Sequence, residues 1–272
     1  MTRPRRYSAG VRSDAALLLE VIDKIVVVTI PSAVERQADV SLLMQDLALP
    51  FEFHLGRDCR TASVEELVDG GDYDPVARAR LGRPPLTPSE IGCALSHRDV
   101  ATRVAHGTAE RVLVLEDDVR LIEANTGYLG AAIASIPRHW SLAYFAYAAM
   151  NLSIPPLVRV KLATYYPLRH MLGSERHDPV TIRRIYRRPL NAHWMLAGWF
   201  NDATAYAIDR EAARYISESQ RPVAFEADLI LNHLVRFSGL AAICLKYPLF
   251  DQRRDIPSLI GERPSWKSAG QR

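Results

Sequence analysis

Hydrophobic and polar residues alternate along the chain in blocks that predict strands and helices in turn. The run "KIVVVTI" at residues 24–30 is rich in β-branched residues, which is typical of a strand buried on both faces. The segment 32–49 has apolar residues at helical spacing, and Pro50 ends it. Because "FEFH" at residues 51–54 predicts a second short strand, we expect a parallel β-α-β unit here.

A longer helix is predicted over residues 86–107 by its start and stop signals. Thr87 is the expected N-cap, Pro88 occupies the first helical position, and Glu90 completes a capping box. Gly107 suits the C-terminal end of the helix. A core-facing stripe is supplied by Ile91, Leu95, Val100 and Val104.

The remaining pattern continues the alternation of strands and helices. Further strands are predicted at residues 111–115, 141–147, 202–209 and 241–245, and further helices near residues 127–135, 210–219 and 225–237. Residues 56–85 are polar and predict a loop, and the basic, proline-containing stretch 151–193 has no clean period. This order of elements predicts an α/β fold with helices on both faces of the sheet.

We expect one domain over residues 23–252, with a basic insertion or acceptor lid at 151–193. Flexible tails are expected at residues 1–22 and 253–272, whose ends are rich in Pro, Gly, Ser and Arg. Two apolar stretches could be mistaken for membrane spans. The first, residues 16–30, carries three charged residues and the second, residues 142–157, is broken by two prolines, so no transmembrane helix is predicted.

Composition narrows the class of protein. The chain is 48% hydrophobic and 24% charged, which is ordinary for a globular domain. Its three cysteines, Cys59, Cys93 and Cys244, are scattered and lack C-x-x-C spacing, which argues against a disulfide framework and against a zinc site. A reducing cytoplasm is therefore the expected location.

Positive charge is concentrated in one segment. The net charge is only +3, so the molecule as a whole is not a strong polyanion binder, and we expect no nucleic-acid partner. Residues 159–188, however, hold eight Lys or Arg residues against Glu175 and Asp178. This segment is either a solvated insertion or a contact for a phosphorylated acceptor or for the anionic inner face of a membrane.

The predicted strand in "RVLVLEDDVRL" (residues 111–121) ends in three adjacent carboxylates, Glu116, Asp117 and Asp118. Such charges repel, and burying them is costly without a compensating cation or donor, although a solvated surface turn would also tolerate them. Alternation along the strand places Glu116 and Asp118 on one side and Asp117 on the other. Two carboxylates on one side favour Mg²⁺ or Mn²⁺, completed by substrate phosphates, unless arginines of the same chain already pair with them.

Residues 86–121 resemble the signature of glycosyltransferase family 25, the lipopolysaccharide-biosynthesis and collagen-galactosyltransferase group. The resemblance rests on the helix "E-I-G-C-x-x-S-H" followed by a hydrophobic strand that ends in "E-D-D". Residues 25–40, 198–216 and 223–240 are also similar to family segments, so the resemblance covers about residues 24–252. The sequence departs from the family pattern at Thr29 and at "HLGRD" (54–58), which affects the expected donor contacts.

The resemblance implies a GT-A-like, nucleotide-sugar-binding α/β fold with a mostly parallel central sheet, and an inverting transferase that uses Mn²⁺ or Mg²⁺. It would move a hexose, most simply galactose, from a UDP-sugar to a lipopolysaccharide or other surface-glycan acceptor. Asp118 and Glu116 are the expected metal ligands, and Asp228 or Glu226 is the expected catalytic base, although an acid in the first turn of a helix is favoured by the helix dipole in any case. The expected donor-binding residues are Thr29, Ile30, Arg36, Ser96, His97, Glu116 and Asp117.

Two other functions fit parts of the sequence. A catalytically inactive protein with a transferase fold could bind anionic glycolipid or a membrane surface through residues 159–188, and this binding would depend steeply on salt. A metal-dependent phosphohydrolase would need further carboxylates or histidines near Asp118, and the spacing of the sequence indicates none.

Overall fold

The computed structural model describes residues 7–148 and 153–256 together with residue 259. Its strands are β1 (Lys24–Thr29), β2 (Glu52–Leu55), β3 (Arg111–Glu116), β4 (Val119–Leu121), β5 (Leu142–Tyr144), β6 (Arg188–Pro189), β7 (Trp194–Leu196), β8 (Ala205–Asp209), β9 (Ala242–Leu245) and β10 (Phe250–Gln252). Its α-helices are α1 (Ala9–Ala16), α2 (Val34–Asp46), α3 (Val64–Asp69), α4 (Pro75–Arg80), α5 (Pro88–His106), α6 (Leu129–Ala134), α7 (Pro156–Ala163), α8 (Tyr165–Met171), α9 (Pro179–Arg183), α10 (Arg210–Ser219) and α11 (Ala227–His233).

Within these described ranges, eight strands form one sheet in the order β2-β1-β3-β8-β5-β9-β7-β6. β1 is parallel to β2 and β3, and β5 is parallel to β9, whereas β8 and β7 are antiparallel to both of their neighbours. Six of the eight strands therefore run in one direction. β4 and β10 pair separately as a two-stranded antiparallel ribbon.

Residues along the central strands alternate between two apolar cores, one on each face of the sheet. In β3, Leu113 and Leu115 contact the core formed with α1, α2 and α6, whereas Val112 and Val114 contact the core formed with α5, α10 and α11. Helices thus cover both faces, which explains why the interior positions of β1 and β3 are apolar in succession and not in alternation. The α/β class, the mostly parallel sheet and the helices on both faces are confirmed.

The longest predicted helix has the predicted ends. α5 begins after Thr87, whose hydroxyl accepts the Glu90 N–H while the Glu90 carboxylate accepts the Thr87 N–H, and it ends at Gly107. The initial parallel unit β1-α2-β2 is also present. At the end of β8, the Asp209 carboxylate accepts the Ala212 N–H and caps α10.

The N-terminal segment differs from the flexible tail expected over residues 1–22. Residues 9–16 form α1, residues 17–20 continue as a 3-10 turn, and Ala15, Leu18 and Ile22 are fully buried in the core with α6. The reason is the spacing of Ala15, Leu18 and Ile22, which puts their apolar side chains on one side of the segment, where their burial offsets the conformational freedom that the segment loses. Residues 1–6 and most of the expected C-terminal tail, 253–272, lie outside the described residues, and the single-domain boundary at 23–252 stays a prediction.

Two stretches without a clear sequence pattern contain short helices. In the expected loop 56–85, Ser63 and Asp74 cap α3 and α4. The expected insertion holds α7, α8 and α9, followed by β6 and β7, which extend the sheet. None of the described helices is both long enough and apolar enough to pass through a bilayer.

Candidate active site

A cleft lies at the edge of the sheet where β1 and β3 end. Parallel strands bring their carboxyl ends together at one edge, which is where ligands bind in open α/β sheets. The cleft is lined by Thr29, Ile30, Arg36, Ser96, His97, Glu116, Asp117 and Asp118, together with Arg57, Asp58, Arg60, Cys93, Gln252 and others. The predicted donor and metal residues therefore lie together, and the two predicted bases, Glu226 and Asp228, do not line this cleft.

The three carboxylates at the end of β3 all line the cleft, which differs from the expectation that Asp117 would point away. β3 ends at Glu116, and Asp117 and Asp118 form a turn before β4. Strand alternation therefore stops at Glu116 and does not govern the two residues that follow. The turn concentrates negative charge on one side of the sheet edge.

Arg36, near the start of α2, supplies the positive charge that this cluster needs. Its Nη1 atom lies 2.8 Å from Asp117 Oδ1 and 3.3 Å from Asp118 Oδ2. The Thr29 hydroxyl donates to the other oxygen of Asp117 at 2.6 Å. Asp117 is thereby bonded through both oxygens, so Thr29, Arg36 and Asp117 stabilise the acidic turn directly.

Asp118 is less completely paired. Its Oδ2 atom also accepts from Gln252 Nε2 at 3.1 Å, but among the described residues its buried Oδ1 atom has no hydrogen-bond partner. Burial, followed by the charge of Glu116, raises the pKa of Asp118 to about 7. Glu116 accepts from the Thr204 hydroxyl at 3.3 Å and has no arginine at ion-pair distance in the described chain. An unsatisfied oxygen beside a second carboxylate is an environment that a divalent cation fits.

His97 lies behind Glu116 and is 2% exposed. Its Nδ1 atom is 2.8 Å from the Tyr206 hydroxyl, whereas its Nε2 atom has no hydrogen bond within the described residues and lies 3.6 Å from Glu116 Oε1. Ligand atoms of Cys93, His97 and Glu116 lie within 4.8 Å of one another, so they could also contribute to cation binding. Sequence reasoning missed Cys93 because it looked for C-x-x-C pairs; the usable signal was its position four residues before His97 on one helix.

Ser96 holds the loop after β2 against α5. Its hydroxyl donates to Gly92 O at 2.7 Å and accepts the Arg57 N–H at 3.2 Å. A Cβ atom at Gly56 would lie 2.6 Å from Ser96 Cβ, and one at Gly92 would lie 2.7 Å from Arg57 O. Two glycines therefore permit a close approach that places this loop on the wall of the cleft.

The same loop contributes two arginines that sequence reasoning did not select. Arg57 pairs with Asp72 at 2.7 Å, and Arg60 pairs with Asp58 at 2.6 Å and donates to the Ser32 hydroxyl. Both guanidinium groups are about half exposed and line the cleft, where they can contact an anionic ligand. The signal lies in "HLGRDCR" (residues 54–60), whose two arginines directly follow the second strand.

Glu226 is bonded to Arg78 through both carboxylate oxygens, at 2.5 and 2.6 Å. Arg78 is 1% exposed, and its guanidinium also donates to the backbone oxygens of Pro84 and Ala224. Glu226 is thus the counter-charge of a buried guanidinium, and removing either partner would leave the other charge uncompensated. The pairing favours a structural role for Glu226, as the anchor between α4 and the start of α11.

Asp228 lies in the first turn of α11. Burial raises the pKa of Asp228 to about 6, and the charges of Glu226 and Glu116 act in the same direction. Asp202, which the sequence placed only at the start of a strand, has its pKa raised to about 6 mainly by burial, while its carboxylate accepts the Thr204 N–H at 2.7 Å. Both carboxyl groups can exchange a proton near neutral pH.

Comparison with known proteins gives a family match over most of the chain. The family model described as "Glycosyltransferase family 25 (LPS biosynthesis protein)" matches residues 22–231. Two proteins named "Glycosyltransferase 25 family member" match shorter segments. The protein of Aedes aegypti is 36% identical over 87 residues, which are 32% of this chain and 14% of the relative. The protein of Drosophila melanogaster is 27% identical over 100 residues, which are 36% of this chain and 16% of the relative.

Two further similarities were found. A "Procollagen lysyl hydroxylase and glycosyltransferase" of Acanthamoeba polyphaga mimivirus is 30% identical over 118 residues, which are 38% of this chain and 13% of that protein. The chain thus spans only a small part of the length of these curated relatives. Among solved structures, apo mouse xyloside xylosyltransferase 1 aligns with a TM-score of 0.34 and 14% identity, covering 85% of this chain and 79% of that one.

The assignment of Glu226 as an anchor and Asp228 as a titrating acid predicts opposite effects on stability. Glu226→Gln should lower the free energy of unfolding by about 3–5 kcal/mol, because it leaves Arg78 buried without a counter-charge. Asp228→Asn should leave it unchanged or raise it at pH 7, because it removes a carboxylate that ionises at a cost. Urea denaturation of both variants at pH 7 measures the difference, and similar losses in the two would contradict the assignment.

Proposed function

The chain belongs to glycosyltransferase family 25, and from this premise we propose that it is an inverting, divalent-metal-dependent transferase of the GT-A type. In this proposal it moves a hexose, galactose in the first instance, from a UDP-sugar to lipopolysaccharide or another surface glycan. The observation that carries the proposal is the cleft itself. Carboxylates at the end of β3 and three guanidinium groups, from Arg36, Arg57 and Arg60, lie within one concavity at the sheet edge.

The chain's own residues divide the task of holding a nucleotide diphosphate. Arg57 and Arg60 contact its oxygens as bidentate donors, which suits their exposed position on the loop after β2. Glu116 and Asp118 would hold Mn²⁺ or Mg²⁺, and Asp118 Oδ1 is the buried oxygen that such an ion would satisfy. When bound, the ion supplies stabilisation of the negative charge that grows on the leaving diphosphate.

Arg36 has a different task from the one expected for a donor contact. It neutralises Asp117 and one oxygen of Asp118, so that the acidic turn keeps its shape at the base of the cleft. Thr29 and Ser96 act in the same way on the turn and on the loop. The proposed donor contacts therefore come from side chains that these residues position.

Asp228 is the proposed base. In an inverting transfer the acceptor hydroxyl gives its proton to Asp228 as its oxygen bonds to the anomeric carbon, and the bond from that carbon to the diphosphate oxygen breaks with its electron pair leaving on UDP. A pKa of about 6 leaves Asp228 ionised at neutral pH and still able to accept a proton in the transition state.

A second candidate function is a transferase-fold protein that binds anionic glycolipid or membrane without catalysis. The observation that favours it is the ion pair of Arg36 with Asp117 and Asp118, because an internal arginine can replace a metal ion as the counter-charge. It predicts no turnover of any UDP-sugar, which separates it from the transferase.

The metal role is tested by hydrolysis of UDP-galactose, UDP-glucose, UDP-N-acetylglucosamine and UDP-N-acetylgalactosamine with Mn²⁺ present. We expect slow hydrolysis of at least one donor, its loss in EDTA, and a fall of about 10²-fold or more in Asp118→Asn. Asp69→Asn, which changes an exposed carboxylate on α3 that does not line the cleft, is the matched control and should retain full activity. Hydrolysis that persists equally in EDTA and in Asp118→Asn would contradict the metal role.

The base assignment is tested by comparing Asp228→Asn with Asp202→Asn. We expect Asp228→Asn to lower transfer by about 10²–10⁴-fold while donor affinity stays within about twofold, because the base acts on the acceptor. In the unmodified protein the transfer rate should rise with pH through about 6, where Asp228 ionises, and then level off. A larger loss in Asp202→Asn, which removes a carboxyl group of similar pKa, would transfer the role to Asp202.

A further inference from the structure

The helices that follow β5 carry an unusual exposed surface. Seven of the sixteen large apolar side chains that are exposed in the described chain lie between residues 157 and 180, with exposures of 45% to 83%. They are Leu157, Val160, Tyr165, Leu168, Met171, Leu172 and Val180. α8 buries none of its residues, and α7 buries only Leu162. An exposed apolar patch of this kind on an ordered element marks an interaction surface.

Exposed basic side chains are interleaved with these apolar residues: Arg159, Lys161, Arg169, Arg176 and Arg183. The only acidic residues in the same stretch are Glu175 and Asp178, and the Asp178 carboxylate accepts the N–H groups of Val180 and Thr181 as the cap of α9. The surface therefore combines apolar side chains with net positive charge. That combination is complementary to an anionic lipid bilayer, which offers both an acyl region and phosphate groups.

We propose that α7, α8 and α9 form a docking surface that binds an anionic bilayer, with these apolar side chains inserted at the headgroup level. Charge selects the bilayer over a second copy of the chain, because two copies of this surface would bring like charges together.

The position of the docking surface in the fold links it to the cleft. β3 and β5 both run antiparallel to β8, so the chain leaves β5 at the edge of the sheet where β3 ends in Glu116. At its far end the segment is tied to the body of the fold: Arg184 donates to Arg236 O, and Arg187 donates to the Tyr147 hydroxyl. A bilayer on this surface would hold a lipid-linked acceptor near the cleft, a consequence that rests on the proposed function, whereas the binding itself does not.

Flotation of the full chain with vesicles tests the docking surface. The probes are phosphatidylcholine vesicles and vesicles with about one third phosphatidylglycerol, at low and at physiological salt. We expect binding to the anionic vesicles, about tenfold or more weaker binding to phosphatidylcholine alone, and partial weakening by salt. The triple variant Leu168→Ser, Met171→Ser, Leu172→Ser should bind anionic vesicles at least about tenfold more weakly at low salt, because it removes inserted apolar area while keeping every charge.

Two controls separate this surface from general properties of the protein. Val76→Ser removes an apolar side chain of similar exposure on α4, and Arg214→Gln removes an exposed positive charge on α10; both should bind as the unmodified chain does. Circular dichroism should confirm that the triple variant is folded.

Undiminished vesicle binding by the triple variant would overturn the proposal. Failure of the unmodified chain to bind anionic vesicles would also overturn it. Dimerisation through this surface, measured by sedimentation, would be one such result. Because vesicle binding is measured without donor or acceptor, its loss is distinguishable from failure of the proposed transfer.

Discussion

Three adjacent carboxylates at the buried end of β3 require positive charge close by, and the surrounding structure is arranged to meet that requirement. Desolvating them without compensation would cost several kcal/mol for each ionised group. Arg36 and the Thr29 hydroxyl saturate Asp117, which fixes the turn. Among the described residues, Glu116 has no arginine at ion-pair distance and Asp118 Oδ1 has no hydrogen bond, and both side chains line the cleft. The compensation is thus complete for one carboxylate and incomplete for two.

This division explains how one acidic motif can serve both the fold and a ligand. The ion pair between Arg36 and Asp117 lets the turn form before any ligand arrives. The pKa of Asp118 is raised by burial and then by the charge of Glu116. A divalent ion would supply the missing positive charge. Arg57 and Arg60 would donate hydrogen bonds to the phosphate oxygens of the nucleotide diphosphate. The ion pair of Arg36 with Asp117 and Asp118 is also the physical basis of the second candidate function, a transferase-fold protein without catalysis.

Local sequence signals predicted the elements that local physics determines. Three such signals depend only on neighbours within a few residues: the capping box at Thr87 and Glu90, the β-branched run of β1 and the acidic end of β3. Signals of this kind predict the helices, the strands and the family. The pairs that define the site join distant positions: Arg36 and Asp117 are 81 residues apart, and Arg78 and Glu226 are 148 apart. A single sequence does not encode such pairs as a pattern. The exposed apolar side chains of α7 and α8 were likewise invisible, because exposure depends on whether another element covers them.

The central claim, that the end of β3 holds a divalent ion against a nucleotide diphosphate, is tested most directly by the anomalous scattering of Mn²⁺ in crystals grown with UDP. The account predicts one manganese peak about 2.2 Å from a carboxylate oxygen of Glu116 or Asp118, with the diphosphate of UDP completing its coordination. UDP bound in the cleft without a manganese peak at Glu116 or Asp118 would contradict it.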